Sequence, residues 1–343
     1  MDKVNISVAT DQVIGKTRKK VTNGRQRVEP LQVQRTIVST VAGDGSPGFL
    51  DGPALMAKFK SPLDVAILPD GAICVADAFN SSIRKIQDGI VSTYAGNGSA
   101  NITNGIGSNA RFKMPSRLTL DSIGNLYILD AADPRIRKIT PLCEVSIYAG
   151  SIFFGCKDGC AITAQFGQSF GIVGDVHGNI YVADSQNDCV RKISSSGEVT
   201  TVASGNINPF RFVTGVGVNR QGDLFVSDLT RIKRITQAGI ISTFAGGYLK
   251  GYLDGKGSTA RFSQIEGLVI DKQENIYVTD ENRIRKITPS GVVTTVAGSI
   301  SGYEDGDAVS ARFDGPQGLA IDKDGNIYVA DFNNKRIRKI SFV

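Results

Sequence analysis

The chain has 343 residues, among them 39 glycines, no tryptophan and one histidine, and a formal net charge of +6. The lone histidine, His177, excludes a zinc centre built on several imidazoles, and no run approaches the roughly 18 apolar residues of a membrane-spanning helix. The first residues, Met1-Asp2-Lys3-Val4-Asn5, lack the apolar core of a secretory signal, so the expectation is a cytoplasmic protein, or a nuclear one by way of its basic N-terminal segment.

Residues 1–36 hold eight basic and three acidic side chains, a net of +5, so almost all of the excess charge sits there. With little apolar periodicity and no repeat partner, this segment reads as a disordered basic tail. Lys16, Arg18, Lys19 and Lys20 are its candidate contacts for nucleic acid, an acidic partner or an import receptor. A solvated extension without a partner explains the same composition.

From residue 37 onward the chain repeats. Val38-Ser39-Thr40-Val41-Ala42 reads as a strand with nothing before it to pair with. The last unit shows the pattern whole: Leu319-Ala320-Ile321, a turn at Asp324-Gly325-Asn326, then Ile327-Tyr328-Val329-Ala330 and Arg336-Ile337-Arg338-Lys339-Ile340. The aspartate closing the second strand recurs at Asp77, Asp130, Asp184, Asp228, Asp280 and Asp331, and a fourth strand precedes a glycine six times, from Gly43 to Gly298. Six such meanders predict an all-β, six-bladed β-propeller of four-stranded antiparallel blades. The strand at 37–43 is left to complete the last blade beside 335–341, making 37–343 one propeller domain.

Gly-Leu-Ala-Ile-Asp, Gly-Asn-Ile-Tyr-Val-Ala-Asp and Asn-x-x-Arg-Ile-Arg-Lys-Ile resemble the NHL repeat. The Asp-Gly-x(4)-Ala-Arg-Phe segments at 254–262 and 305–313 are similar to those of microbial NHL propellers and of teneurins. The resemblance implies fold more than function, because one scaffold hosts many activities. Some NHL propellers bind single-stranded RNA, which makes nucleic acid an alternative partner.

Five long connections lead from a fourth strand into the next blade. Each carries Asp-Gly or Asn-Gly, at Asp51, Asn104, Asp158, Asp254 and Asp305, and ends in Ala-x-Phe, at Phe59, Phe112, Phe166, Phe262 and Phe313. The acid or amide reads as a turn or helix cap, and the phenylalanine as a plug between blades. The sixth connection, 204–213, is shorter and lacks the motif, which predicts a low side to this face. Phe49, Phe153, Phe154, Tyr248, Tyr252 and Tyr303 crowd these loops and form a candidate partner surface. Packing of the loops on themselves is the competing explanation.

At the start of the first strands, four blades have glycine, Gly171, Gly215, Gly267 and Gly318, where six strands converge on an axis. Two have charges instead, Asp64 and Arg117. With Phe170, Thr214, Glu266 and Gln317 one residue earlier in the other blades, they form a candidate ligand site at the channel mouth. A local Asp64–Arg117 ion pair is the simpler reading.

The Arg-Ile-Arg-Lys-Ile strands put twelve cations around the ring, read mainly as partners of each blade's aspartate and as stems covering strand edges. Cys156 and Cys160 share a loop and would bridge in an oxidising compartment. No catalytic residues, metal ligands or cofactors are predicted. Asp322 to Asn326 and Tyr303 to Asp307 resemble pieces of calcium loops, but lack the later glutamate and read as turns. The sequence thus predicts a monomeric, non-enzymatic scaffold for a protein, peptide or glycan. Nucleic-acid binding is one alternative, and a metal-dependent hydrolase or lyase at the channel mouth near Asp64 and Glu266 is the other.

Overall fold

The computed structural model describes residues 35–203 and 210–343. Residues 1–34 of the tail, with Lys16, Arg18, Lys19 and Lys20, lie outside the described residues, whereas Thr36, read as the end of the tail, already belongs to the closing strand.

Six antiparallel sheets stand in a ring. In blade 1 the strands run outward from the axis as Pro62–Ile67, Ile73–Asp77, Ser82–Gln87 and Ile90–Gly96. Each first strand packs beside the first strands of its two neighbours, and that of blade 6 meets that of blade 1. The predicted closure is present. Thr36–Ala42 pairs antiparallel with Arg336–Phe342, with Val38 opposite Ile340.

Blades 1, 2, 3, 5 and 6 have a fifth strand that the sequence reading missed. In blade 1, Gly52–Pro53, part of the incoming connection, pairs with the outermost long strand at Val91 and Ile90. Two residues are too short to show any period, so the pattern of the sequence could not reveal them. Blade 4, from Val213–Val218 to Ile241–Gly246, has four strands among the described residues; most of its short incoming connection, 204–209, lies outside them.

The core is divided into six apolar layers, one at each blade interface. Valine and isoleucine pointing alternately to the two faces of thin sheets supply most of it, as their β-branched shape favours. A phenylalanine plugs each layer near the long-loop face, and Phe59, Phe112, Phe166, Phe262 and Phe313 are all buried. Blade 4 has a plug too. Phe210 is buried, and it precedes Asp228 by the same interval as Phe59 precedes Asp77.

The strand-closing aspartates hold the entry to each blade. Asp77 Oδ1 accepts the amide hydrogens of Lys60 and Ser61 at 2.9 and 3.1 Å, and Asp228 does the same for Arg211 and Phe212. This ties the end of the second strand to the start of the first. Among the described residues, the fourth strands end on glycines with positive φ, such as Gly43 at 98°, where a Cβ would lie 2.4 Å from the Lys335 carbonyl oxygen.

Candidate functional site

The third strands carry a buried cation as far as the centre of the blade. Arg84, Arg137, Arg191, Arg285 and Arg338 are wholly buried. In blade 6, Arg338 Nη1 donates to Asp331 Oδ2 at 2.8 Å, while its Nε donates to Asp305 Oδ1 at 3.0 Å. The same triangle joins Arg84, Asp77 and Asp51; Arg191, Asp184 and Asp158; and Arg285, Asp280 and Asp254. Each guanidinium also lies over the plug ring, 5.0 Å from Phe313 in blade 6. The expected pairing with the blade's own aspartate is therefore found in blades 1, 3, 5 and 6, but these arginines are internal pins and not covers for strand edges.

The loop aspartates correct the turn-or-cap reading. The second oxygen of Asp51 accepts the Thr93 amide hydrogen at 2.9 Å, and Asp158, Asp254 and Asp305 cap Thr201, Thr295 and Thr40 alike. A carboxylate there satisfies a donor on the outer strand that no neighbouring strand reaches. Blade 2 uses Asn104, whose Oδ1 accepts from Arg137 at 3.0 Å. Blade 4 lacks the loop acid, has Lys233 in place of the pin, and pairs Arg231 with Asp228 instead.

These pins make the long loops a fixed platform, and the loop aromatics stand on it. Tyr252 lies 3.8 Å under the Arg283 guanidinium, Tyr303 is equally close to Arg336, and Phe49 sits 4.7 Å from Arg84. Tyr248 is stacked by Arg231 and Arg211. The rings nonetheless remain 41% exposed at Tyr252, 45% at Tyr303 and 71% at Tyr248. Phe153 and Phe154 are exposed beside Ile152, and Leu249, Leu253 and Ile300 extend the apolar surface over the loops entering blades 5 and 6. The competing reading, that these rings only pack the loops on themselves, fits the arginine stacking and leaves the exposed faces unexplained.

The axis encloses a cavity of about 350 Å³ lined by the first strands of all six blades. Asp64, Arg117, Phe170 and Glu266 line it. Thr214 does not: its short side chain is buried, with the hydroxyl bonded to Ser227 Oγ at 2.8 Å and to the Ile265 carbonyl at 2.9 Å. Gln317 enters only as a partner of Arg117, accepting from Nη2 at 3.4 Å.

Asp64 and Arg117 are not an ion pair. Asp64 accepts the amide hydrogens of Val65 and Leu118 at 2.9 and 2.8 Å. Arg117 donates to the carbonyls of Phe170 at 2.9 Å and Ser116 at 3.1 Å. Both are nearly buried and stitch neighbouring first strands together. Burial pushes Asp64 up to about 6, against the opposing pull of Arg117 and the two amides. Gly318 leaves the space Asp64 uses, since a Cβ there would collide with Asp64 Oδ1. Glu266 accepts from Gln264 Nε2 at 2.6 Å, and among the described residues no three His, Cys, Asp or Glu side chains gather as a metal site would require. Asp322 accepts the amide hydrogens of Asp324 and Asn326 within its own turn.

Phe212 was missed as a neighbour of Phe170. Its ring centroid lies 6.1 Å from that of Phe170, and its place just before the first strand of blade 4 was the available signal.

Ring, meander and repeat together define a six-bladed NHL-repeat β-propeller. Residues 313–340 match the NHL repeat, and the other blades carry the same succession of strands. The chain is 25% identical to human teneurin-1 over 91% of its own length and 13% of that protein's. It is 26% identical to the Arabidopsis thaliana Protein SUPPRESSOR OF QUENCHING 1, chloroplastic, over 88% of this chain and 27% of that one. The chain therefore spans only a small part of these relatives. Among solved structures, a protein of unknown function from Bacteroides thetaiotaomicron superposes with a TM-score of 0.73 at 20% identity, covering 90% of this chain and 76% of that one. An auxiliary nutrient binding protein of the same organism gives 0.70 at 18% identity over 90% and 77%, and a streptogramin B lyase 0.57 at 12% over 90% and 98%. These likenesses are of fold.

Proposed function

We propose that this chain is a non-enzymatic binding scaffold that holds a protein or peptide on its long-loop face, chiefly over the loops entering blades 5 and 6. The observation that carries this reading is the stacking of Tyr252 and Tyr303 on Arg283 and Arg336 at 3.8 Å, with roughly two fifths or more of each tyrosine left open. A ring already fixed on a cation loses little freedom on binding, and half-open aromatics among aliphatic side chains are what interface centres use. The fold shared with an auxiliary nutrient binding protein is in keeping with a binding role.

The test is capture with the immobilised chain beside a Tyr252→Ala, Tyr303→Ala variant whose melting curve is unchanged, each with and without nuclease. Proteins held by the parent, lost by the variant and indifferent to nuclease support the reading. Equal capture by both chains rejects the site, and loss on nuclease treatment transfers the function to nucleic acid.

A further inference from the structure

Two of the five cysteines meet across the contact that joins a long loop to its blade. In blades 5 and 6 the loop residue two positions before the Asp-Gly pair faces the third-strand residue opposite the strand-closing aspartate. In blade 5 these two are Tyr252 and Arg283, in contact at 3.8 Å, with Arg283 across from Asp280. In blade 6 they are Tyr303 and Arg336, again at 3.8 Å, with Arg336 across from Asp331. In blade 3 the same two positions are Cys156, two before Asp158, and Cys189, across from Asp184.

Hydrogen bonds hold the approach on both sides. Asn187 Nδ2 donates to the Gly155 carbonyl at 2.8 Å, and Arg191 Nη2 donates to Asp158 Oδ1 at 2.7 Å. The chain neighbours of one thiol are thus bonded to those of the other, and Cys156 lies near enough to Cys189 to add to the upward push that burial exerts on its thiol. Cys189 is buried and Cys156 is exposed. Cys160, which the sequence suggested as the partner, instead lies in the outer two-residue strand opposite Glu198.

We propose that Cys156 and Cys189 are a modification site, converted to a disulfide by a small oxidised thiol such as glutathione disulfide, and that the bond fastens the loop bearing Phe153 and Phe154 to blade 3. The exposed Cys156 thiolate attacks one sulfur of glutathione disulfide and releases one glutathione. The Cys189 sulfur then attacks Cys156 Sγ, expelling the second glutathione. Two thiols are oxidised, one glutathione disulfide is reduced to two glutathiones, and the two thiol protons pass to them. The bond closes a loop of 33 residues (189 − 156).

The experiment incubates the full chain with glutathione disulfide, alkylates the remaining thiols and maps peptides without reduction. The expected result is a Cys156–Cys189 linked peptide, loss of two of five thiols, and a melting temperature raised by about 5 °C. Cys156→Ser, at an exposed position, should fold and abolish both link and rise, while Cys160→Ser should keep both. A link made through Cys160 or Cys143, glutathione left on Cys156 without a link, or five intact thiols would each overturn the proposal.

Discussion

Thr40 and Arg338 face each other across the join of the ring, and the single carboxylate of Asp305 holds both, taking the Thr40 amide hydrogen at 3.0 Å and the Arg338 Nε hydrogen at 3.0 Å. The pin of blade 6 therefore also secures the strand that closes the propeller. Replacing Arg338 by methionine leaves Asp331 buried without its cation and frees Asp305 from the last strand. Denaturant unfolding should show a loss of about 3 kcal/mol. The same change at Lys286, on a strand of the same kind but half-buried, should shift stability by less than about 0.5 kcal/mol.

Blade 2 offers the converse. Arg137 is buried with Asn104 where four other blades have an aspartate, and among the described residues no carboxylate lies within ion-pair distance of it. Burial holds its guanidinium below the usual arginine range. Asn104→Asp should therefore stabilise the chain, by about 1 kcal/mol because the new carboxylate is exposed. An unchanged or lower urea midpoint would contradict the account of the pins.

Asp64 makes stability depend on pH in a definite direction. Its folded value near 6 stands above the roughly 3.9 of an unfolded aspartate. Between these two values the folded chain holds a proton that the unfolded chain has released, so the Asp64 contribution is full below about pH 4 and is lost as pH rises through about 6. Relative to Asp64→Asn, the parent should lose about 3 kcal/mol between pH 4 and pH 7. Parallel stability curves for the two chains would show that the carboxyl is not pushed up.

At the axis, Gly267 touches the next blade. A Cβ there would stand 2.4 Å from the Gln317 carbonyl oxygen, so the first strands of blades 5 and 6 must part to admit one. Gly267→Ala should cost about 2 kcal/mol. At Gly247, where the nearest atom would be 3.7 Å away, alanine should be tolerated within about 0.5 kcal/mol in the same thermal melts.

The ring was legible because its determinants are local and repeated. The strand-closing aspartates, the Gly-Asn turns and the Val/Ile alternation each recur within one blade, and an unpartnered strand at 37–43 was enough to place the join. What escaped notice depends on residues brought together from afar. Asp51 looks like a turn residue because Asp-Gly is a turn signature, yet its partners are Thr93 and Arg84, one and two strands away in the folded blade. Phe210 was overlooked because Asn208 stands two residues before it, where the other plugs have alanine.

The channel mouth shows the same limit at the level of single side chains. Alignment correctly put Asp64 and Arg117 near the axis. Their signs suggested mutual attraction, whereas the unpaired amides and carbonyls of converging strands were nearer partners for both. Thr214 was assigned to the mouth by counting from the turn, and its hydroxyl instead finds partners inside the sheets, at Ser227 and the Ile265 carbonyl.

Plug, pin and outer strand of blade 1 all come from residues 44–96, which bond to one another and end at the left-turning Gly96. A gene duplication copying that stretch would carry every fitting its product needs to dock beside an existing copy. One copying from hairpin to hairpin would separate each arginine from its acid. The lineage of such rings is thus set to grow in steps that begin in a loop, and the loop that meets a partner travels with the sheet that anchors it.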